Sequence, residues 1–139
     1  MYIDVDNFKH LNDSFGHDVG DWVLTELANR VSGLLRPADT LARLGGDEFA
    51  AVCDDLHAAS DVDTIADRMV AAVDRPWVLD AVALSVSVSI GVAVTGARNT
   101  IPADLLRTAD AAMYCAKLVT GSAWVREPAI ADSGPAPAA

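Results

Sequence analysis

The sequence predicts an α+β fold in which helices pack on a mostly antiparallel sheet. Two observations support this prediction: short apolar strands alternate with stretches of helical period, and a tight glycine turn joins two of the strands. The chain has 139 residues, 52% of them hydrophobic, which suits one domain with a substantial buried core. No internal repeat is present, so a single core is expected.

The first strand occupies residues 1–5 and leads into a helical turn at residues 8–13. Period-two alternation puts Ile3 and Val5 on the core face of this strand and Asp4 on the opposite face. Because Asp4 lies near the end of the strand, its carboxylate is well placed to bind a metal ion.

A long helix is predicted after the glycine-bearing loop 15–21. Asp18 and Asp21 lie where acidic side chains cap a helix, and Pro37 is expected to end it. One face of this helix is apolar at helical spacing and is therefore predicted to be buried; it consists of Val23, Leu24, Leu27, Ala28, Val31, Leu34 and Leu35.

A hairpin is predicted next, with strands at residues 40–44 and 49–53. Gly45 and Gly46 fall between the strands, where a tight turn requires a positive φ angle that glycine adopts at low cost. The lack of side chains at these two glycines would also let a ligand approach the backbone closely. The hairpin tip is thus a candidate binding position.

A second helix is predicted to begin at a Ser60 cap, with Asp63 as the acid of its first turn and Pro76 beyond its end. Residues 77–79 and 84–94 are predicted as strands. In the first part of the longer strand, serines alternate with apolar residues, which is typical of a strand with one buried face.

The last third of the chain completes the fold. Gly91 is expected to interrupt the longer strand, Pro102 opens a third helix with an apolar stripe, and a short strand is expected at residues 123–125. This order of elements is typical of an α+β sandwich of the ferredoxin-like or palm type. The domain is predicted to span residues 1–126, followed by a disordered tail at residues 127–139 that is rich in Ser, Gly, Pro and Ala.

Composition and charge exclude several classes of function. A net charge of −10 and a pI near 4.4 argue against a nucleic-acid polymer as partner, because such binding needs many basic side chains. No apolar run approaches the roughly 20 residues of a membrane helix, and no secretion signal is visible, so a soluble cytoplasmic protein is predicted. Cys53 and Cys115 lack metal-site or disulfide spacing and are interpreted as buried free thiols.

Two carboxylates, Asp47 and Glu48, follow the glycine turn. Taken alone, a Gly-Gly-Asp turn indicates an ordinary turn with solvated acids. The longer stretch at residues 43–49, Arg-Leu-Gly-Gly-Asp-Glu-Phe, resembles the signature of the GGDEF family of diguanylate cyclases. The resemblance continues through separated motifs in the family's order: Asp-Val-Asp-Asn-Phe-Lys at 4–9, Asn-Asp at 12–13, Gly-His at 16–17, Gly-Asp at 20–21, Ser-Ile-Gly-Val-Ala at 89–93 and Ala-Asp-Ala-Ala-Met-Tyr-Cys-Ala-Lys at 109–117.

The resemblance implies a diguanylate cyclase in which each domain binds one GTP and two domains meet face to face as a transient homodimer. Each 3′-hydroxyl would attack the α-phosphorus of the other nucleotide, so that pyrophosphate leaves twice and cyclic di-GMP forms. It also implies that Mg²⁺, or Mn²⁺, is held by Asp4, the backbone carbonyl of Val5 and Asp47, with Asp47 and Glu48 as catalytic carboxylates. Without the resemblance, these acids would be interpreted as plain surface charge.

The resemblance further implies which residues recognise guanine. These are Asn12 and Asp21, whose side chains offer suitable donors and acceptors. A turn former at Asn12 and a helix-start acid at Asp21 are the alternatives, and either residue could serve both purposes.

Phosphate binding is assigned by the same resemblance to the backbone amides of Asn7 and Phe8 and to the two lysines of the chain, Lys9 and Lys117. Lys117 is expected to reach the terminal phosphates as a compact charge. For Lys9, a solvated side chain is an equal alternative. Together with the bare backbone of the glycine turn, these groups would surround the triphosphate.

A second site is suggested by Arg36 and Asp39, in the stretch Arg-Pro-Ala-Asp. It resembles the RxxD motif through which many family members bind cyclic di-GMP and are inhibited. Arginine suits such a site because it pairs with phosphate and stacks on guanine. The alternative is a surface ion pair between the two side chains.

Two departures from the family pattern leave a second function open. The upstream LTxLxNR segment of the family is absent from this chain, and residues 118–122 after Lys117 lack the arginine that contacts phosphate in the family. The expectation is therefore either an active enzyme or a module that binds GTP or cyclic di-GMP and signals by protein contact. A decayed fragment without a ligand is the third alternative.

Overall fold

The computed structural model describes residues 1–96 and 101–127. In these residues four helices pack on a mostly antiparallel sheet, so the α+β class predicted from the sequence is confirmed. The elements in chain order are β1 (Tyr2–Val5), α1 (Phe8–Phe15), α2 (His17–Ser32), β2 (Thr40–Gly45), β3 (Glu48–Val52), α3 (Ala59–Val73), β4 (Trp77–Leu79), β5 (Val82–Leu84), β6 (Val88–Val92), α4 (Pro102–Ala116) and β7 (Ala123–Arg126).

Five of the strands form one sheet in the order β2-β3-β1-β6-β7. Neighbouring strands are antiparallel except β6 and β7, which run parallel. Strands β4 and β5 pair with each other as a separate hairpin. Because β1 is the central strand, its carboxyl end lies between β3 and β6, and groups from several elements can converge there.

One face of the sheet carries the main apolar core. Ile3 in β1 lies opposite Phe49 in β3 and Ile90 in β6, and all three are buried. They belong to one cluster with apolar residues of α2 and α3, such as Leu27 and Met69. The alternation predicted for the first strand is therefore confirmed.

Helix α4 packs on the other face of the sheet, where Asp4 lies opposite Glu48 and Ser89. A Cβ atom at Gly91 would overlap the backbone of α4 at Ala109, so only glycine lets the helix and β6 approach this closely. Strand β6 runs through Gly91 without a break, and the interruption predicted there is wrong.

The single long strand predicted at residues 84–94 is also wrong. Its first residue ends β5, whereas Val88–Val92 joins the main sheet as β6. Alternation continues through residues 85–87, so the pattern does not reveal that the chain passes there from one sheet to the other. The strands predicted at residues 77–79 and 123–125 are confirmed as β4 and β7.

Helix α2 differs from its prediction at both ends. It begins at His17, directly after Gly16, and it ends before Pro37. Gly16 is the N-cap, with a φ angle of +90° and no side-chain hydrogen bond to the helix. The capping role predicted for Asp18 and Asp21 is therefore wrong, because the helix starts before both residues; Asp18 lies in its first turn.

The start of helix α3 is set by a different acid from the one predicted. Its N-cap is Ala58, and the carboxylate of Asp61 accepts hydrogen bonds from the N–H groups of His57 at 2.9 Å and Ala58 at 3.1 Å. Asp61 thus takes the role assigned to Ser60 and Asp63. Several polar residues lie at the start of this helix, and the sequence does not indicate which side chain accepts hydrogen bonds from the backbone N–H groups that precede the helix.

The remaining predictions have mixed outcomes. Pro102 is the first residue of α4, as predicted. The predicted tail at residues 127–139 lies outside the described residues except for Glu127. Within the described part of the chain Cys53 and Cys115 are free thiols, but Cys115 is exposed, contrary to the predicted burial. No helix described in the structure has both the length and the apolar content needed to cross a bilayer.

Candidate functional site

Acidic residues from β1 and β3 meet at the tip of the β2–β3 hairpin. Asp4 lies opposite Glu48 in an antiparallel pair, so the two side chains share one face of the sheet. The N–H of Val5 donates a 3.2 Å hydrogen bond to the backbone carbonyl of Asp47, which holds the hairpin tip beside the end of β1. The structure therefore brings together four of the residues assigned by the family resemblance.

The hairpin tip is a two-residue loop, Gly46 and Asp47, between the paired residues Gly45 and Glu48. Gly46 has a φ angle of +52°, which glycine adopts without steric cost. The guanidinium of Arg43 holds the loop, because its Nε and Nη2 donate to the carbonyl of Gly46 at 2.9 and 2.7 Å. The sequence analysis missed this contact, since a backbone acceptor leaves no mark in the sequence.

Asp4 is buried and forms an ion pair with Lys117, whose Nζ lies 2.8 Å from its Oδ1. Burial raises the pKa of Asp4, Lys117 opposes this shift, and the carboxylates of Asp47 and Asp6 add to it. Burial alone would lower the pKa of Lys117, but the hydrogen bond and charge of Asp4, with the charges of Asp47 and Asp6, raise it. We call Asp4, Asp6, Asp47 and Lys117 the acidic end of the site.

The sequence analysis missed two groups near the acidic end. The carboxylate of Asp6 accepts hydrogen bonds of 2.7 Å from the hydroxyls of Ser87 and Ser89. Burial, and then a hydrogen bond to Glu48 and the neighbouring acidic charges, raise the pKa of Tyr2 to about 12. Alternation along β1 puts Tyr2 and Asp6 on the face opposite the core, and this is the signal that could have found them.

The acidic end fits a hard divalent cation that is shared with phosphate groups. Within residues 1–96 and 101–127, no three His, Cys, Asp or Glu side chains are arranged to hold a metal by themselves. Mg²⁺ commonly takes only one or two protein carboxylates, and water and substrate phosphates complete its shell. Asp4 and Asp47 offer that number of carboxylates, and a cation would relieve the repulsion between them.

An open groove of about 600 Å³ lies between α2 and the strands of the hairpin. Asp21, Thr25 and Asn29 line it from α2 at four-residue spacing, which places them on one face of the helix. Arg43 and Phe49 line it from the hairpin. The side chain of Asp21 is exposed. We refer to this feature as the open groove.

Asn12 in α1 lies against Gly20 in α2, next to Asp21. A Cβ atom at Gly20 would overlap the amide oxygen of Asn12, so glycine is required for this close contact. The Oδ1 atom of Asn12 is buried and has no hydrogen-bond partner in the described residues. The structure thus places Asn12 and Asp21 near each other and leaves the Asn12 amide with unused hydrogen-bonding capacity.

The start of α1 offers backbone donors. Asn7 precedes the helix with a φ angle of +54°, and its carbonyl accepts a 3.1 Å hydrogen bond from the N–H of Leu11. The first N–H groups of a helix, here from Phe8 onward, have no acceptor inside it, and the first turn of α1 contains no acid. The side chain of Lys9 is exposed. The helical turn predicted at residues 8–13 forms the first part of this helix.

Arg36 and Asp39 form a turn that lies away from the acidic end. The N–H of Arg36 donates to Oδ2 of Asp39 at 2.8 Å, and the N–H of Asp39 donates to the carbonyl of Arg36 at 2.9 Å. Among the residues that the structure describes, the two side chains form no ion pair, so the surface-pair alternative is wrong. Because β2 runs from Thr40 to Gly45, this turn and Asp47 lie at opposite ends of the hairpin.

The fold and the acidic hairpin tip define a class of domain: an α+β sandwich that presents two carboxylates beside the exposed start of a helix. Residues 1–122 match the family described as "Diguanylate cyclase, GGDEF domain". The chain belongs to the GGDEF family.

Known proteins agree with this assignment. Diguanylate cyclase TpbB of Pseudomonas aeruginosa is 45% identical to this chain over 118 residues, which cover 84% of this chain and 27% of TpbB. The chain thus spans about a quarter of the length of this curated relative. The crystal structure of the GGDEF domain of TpbB matches with a TM-score of 0.82 at 39% identity, covering 91% of this chain and 80% of that chain. The GGDEF domain of DgcB from Caulobacter crescentus, solved in complex with c-di-GMP, gives a TM-score of 0.75 at 27% identity, covering 90% and 74%.

Proposed function

We propose that this domain is a Mg²⁺-dependent diguanylate cyclase, which joins two GTP molecules into cyclic di-GMP and releases two pyrophosphates. The observation that carries the proposal is the hairpin tip, where Asp4 and Glu48 share one face of the sheet and Asp47 contacts Val5. A family relative, TpbB of P. aeruginosa, is named a diguanylate cyclase. We assign the reaction to the cytoplasm, because GTP is an intracellular nucleotide.

Asp4, the backbone carbonyl of Val5 and Asp47 would hold the metal, and Mg²⁺ or Mn²⁺ suits such oxygen ligands. The bound metal would neutralise charge on the triphosphate and on the attacking hydroxyl. Nζ of Lys117 lies 2.8 Å from Oδ1 of Asp4 in this structure, and a cation bound at Asp4 would weaken this ion pair and release the lysine. Once released, its ammonium group would bind the terminal phosphates.

The reaction would take place between two copies of the domain that meet face to face. The 3′-oxygen of one nucleotide attacks the α-phosphorus of the other, and the bond from that phosphorus to the leaving pyrophosphate breaks. The hydroxyl proton passes to a carboxylate, for which Glu48 is the candidate because it shares the sheet face of Asp4. A second step of the same kind, in which the two nucleotides exchange roles, closes the ring.

The open groove and the start of α1 would bind the rest of the nucleotide. The carboxylate of Asp21 can accept hydrogen bonds from guanine N1–H and N2–H₂, while the amide of Asn12 can both donate and accept. The backbone amides of Asn7 and Phe8, with the exposed Lys9, would bind phosphate oxygens. The bare backbone of the glycine turn leaves room for the triphosphate beside the acidic end.

Cyclic di-GMP would bind at a second site formed by Arg36 and Asp39. The carboxylate of Asp39 supports the turn through the backbone, which leaves the guanidinium of Arg36 exposed and without an ion pair in the described residues. That guanidinium can pair with phosphate and stack on guanine. The GGDEF domain of DgcB, which was solved in complex with c-di-GMP, supports binding of this ligand to the fold.

The test is to incubate the purified chain with GTP and Mg²⁺ and to quantify cyclic di-GMP and pyrophosphate. Asp47→Ala should reduce product formation roughly 100-fold or more, because several kcal/mol of transition-state stabilisation are lost with the metal ligand. Asp54→Ala is the matched control, since Asp54 is an exposed loop acid outside the hairpin tip, and it should leave activity unchanged. Equal product from Asp47→Ala and wild type would contradict the proposal.

A second candidate function is a module that binds GTP or cyclic di-GMP without turnover and signals by contact with another protein. The stretch at residues 118–122 favours it, because it contains no arginine to contact phosphate after Lys117. In the same experiment, a folded protein that binds either nucleotide in calorimetry but yields no product would decide for the module. Product formation by wild type that is abolished in Asp47→Ala would support the enzyme.

A further inference from the structure

Asp6 connects the end of β1 to the start of β6 through three hydrogen bonds. Its Oδ2 and Oδ1 accept bonds of 2.7 Å from the hydroxyls of Ser87 and Ser89, respectively. Its backbone N–H donates to the carbonyl of Ser87 at 2.9 Å. Ser89 is fully buried, while Asp6 and Ser87 are half-buried, so water competes weakly for these bonds.

The chain bends directly after Asp6. Asn7 has a φ angle of +54°, a left-handed conformation that asparagine adopts more readily than most residues but that contacts with its neighbours still stabilise. The three hydrogen bonds of Asp6 are formed by the preceding residue and supply this support. The N–H of Asp6, which donates to Ser87, belongs to the same peptide group as the Val5 carbonyl, and the bend determines where the first amides of α1 lie relative to the hairpin tip.

A carboxylate this close to Asp4 has a rival role as a metal ligand. The charge of Asp6 acts on both Asp4 and Lys117, so it lies within electrostatic reach of the acidic end. Both of its oxygens, however, already accept hydroxyl hydrogen bonds, and Ser89, one of the two donors, is fixed within the central sheet. Asp4 by contrast pairs with a flexible lysine that can move away.

We propose that Asp6 is a positioning residue: through Ser87 and Ser89 it holds the bend that presents the Val5 carbonyl and the first amides of α1 to the metal-bound triphosphate. This inference rests on the proposed function, which names the ligand that the bend serves. The two serines would then support the site through Asp6, without contacting the nucleotide themselves.

Two substitutions distinguish a positioning role of Asp6 from a role as a metal ligand. Asp6→Asn removes the charge but keeps both side-chain bonds, because the amide oxygen accepts from one serine and the amide nitrogen donates to the other. Ser87→Ala/Ser89→Ala removes both donors and keeps the carboxylate. Ser85→Ala is the matched control, since Ser85 belongs to the same run of alternating serines and is exposed.

Three measurements are made: amide hydrogen exchange at residues 5–8, binding of 3′-deoxy-GTP with Mn²⁺ by calorimetry, and steady-state kinetics that give kcat and KM for GTP. In the double serine variant we expect faster exchange and a loss of affinity and kcat of roughly tenfold or more, the range for groups that orient metal ligands. Asp6→Asn should keep wild-type exchange at residues 5–8 and lose less affinity than the double serine variant, and Ser85→Ala should stay within about threefold of wild type. Ser87→Ala alone should shift each quantity in the same direction by a smaller amount, and it decides the question if the double variant does not fold.

Two results would overturn the inference. The first is a loss of Mn²⁺ and nucleotide binding in Asp6→Asn with binding retained in the double serine variant, which would make Asp6 a ligand. The second is unchanged exchange at residues 5–8 in the serine variants. Failure of the proposed function is distinct, because wild type would then form no product, whether or not it binds nucleotide, while the exchange rates would still report whether Asp6 and the two serines hold the bend.

Discussion

The acidic end and the open groove, the proposed phosphate and base sites, differ in how their polar groups are partnered. At the acidic end, the buried Asp4 is already paired with Lys117 at 2.8 Å, and Asp6 is bound by two serine hydroxyls. Beside the open groove, Oδ1 of Asn12 is buried without a hydrogen-bond partner in the described part of the chain, and Asp21 is exposed. In the first region a cation would compete with a partner that is already bound, whereas the second region has free groups.

This difference follows from charge. A buried carboxylate without a counter-charge costs several kcal/mol, so the acidic end is stable without a ligand because Lys117 takes the place of the cation. An unpaired neutral amide costs about 1–3 kcal/mol, which a fold tolerates at a single residue such as Asn12. In the proposed function, the base site would therefore be formed in advance, and the phosphate site would be completed when a cation weakens the pair of Asp4 and Lys117.

Gly91→Ala should have the largest effect, because it separates α4 from the sheet and so removes Lys117 from Asp4. The new Cβ atom would overlap the backbone of α4 at Ala109, which cannot move aside as a flexible side chain can. We expect a loss of more than about 4 kcal/mol in the free energy of unfolding, measured by urea denaturation.

Gly96→Ala is the matched control for that substitution. A Cβ atom at Gly96 would meet no described atom within 4 Å, so the variant should keep wild-type stability within about 0.5 kcal/mol. Equal stability of Gly91→Ala and Gly96→Ala would show that α4 packs more loosely than its contact with β6 indicates.

Lys117→Met should change the response of the acidic end to metal. It leaves the Asp4 carboxylate buried without its donor, so we expect a loss of about 1–3 kcal/mol in stability without metal. Mn²⁺ alone should then raise the melting temperature more in the variant than in wild type, because no lysine competes for Asp4. The measurement is thermal denaturation with and without MnCl₂, in the absence of nucleotide.

Lys9→Met provides the control, since Lys9 is the other lysine of the chain and its side chain is exposed. It should leave both the stability and the Mn²⁺ response unchanged within about 0.5 kcal/mol. If Lys117→Met behaved like Lys9→Met, the ion pair would not be what neutralises the acidic end, and the contrast between the two regions would be lost.

The parts of the molecule that the sequence predicts correctly are those that local patterns determine. Alternation in five residues places Asp4 opposite the core face, and Pro102 marks the start of α4. Patterns fail where several local solutions compete, as at the start of α3, where Asp61 rather than Ser60 or Asp63 supplies the cap. The family resemblance identified the candidate site residues, and the structure shows which of them lie close together.

The contacts that the sequence does not reveal join distant parts of the chain. The hydroxyls that hold Asp6 come from residues 81 and 83 positions away, and no local pattern relates an acid directly after β1 to serines before and within β6. The pairing of Asp4 with Lys117 likewise depends on how α4 crosses the sheet at Gly91. Long-range partners of this kind follow from topology, which composition and period do not contain.

Gly20→Ala should have the smallest effect on stability and a specific effect on the base site. The new Cβ atom would overlap the end of the Asn12 side chain, which can rotate, so we expect a cost below about 2 kcal/mol. If Asn12 recognises guanine as proposed, the rotated amide would lose that contact, so the affinity for GTP should fall roughly tenfold relative to that for ATP. Calorimetry with both nucleotides measures the ratio.

Gly33→Ala is the control for this effect, because Gly33 is the C-cap of the same helix, has a φ angle of −65°, and an added Cβ atom would meet only backbone carbonyl oxygens. It should leave the preference for GTP over ATP unchanged. If Gly20→Ala lowered stability without changing that preference, Asn12 would be a packing residue of the α1–α2 contact, and its unpaired oxygen would be a cost of folding rather than a group kept free for the base.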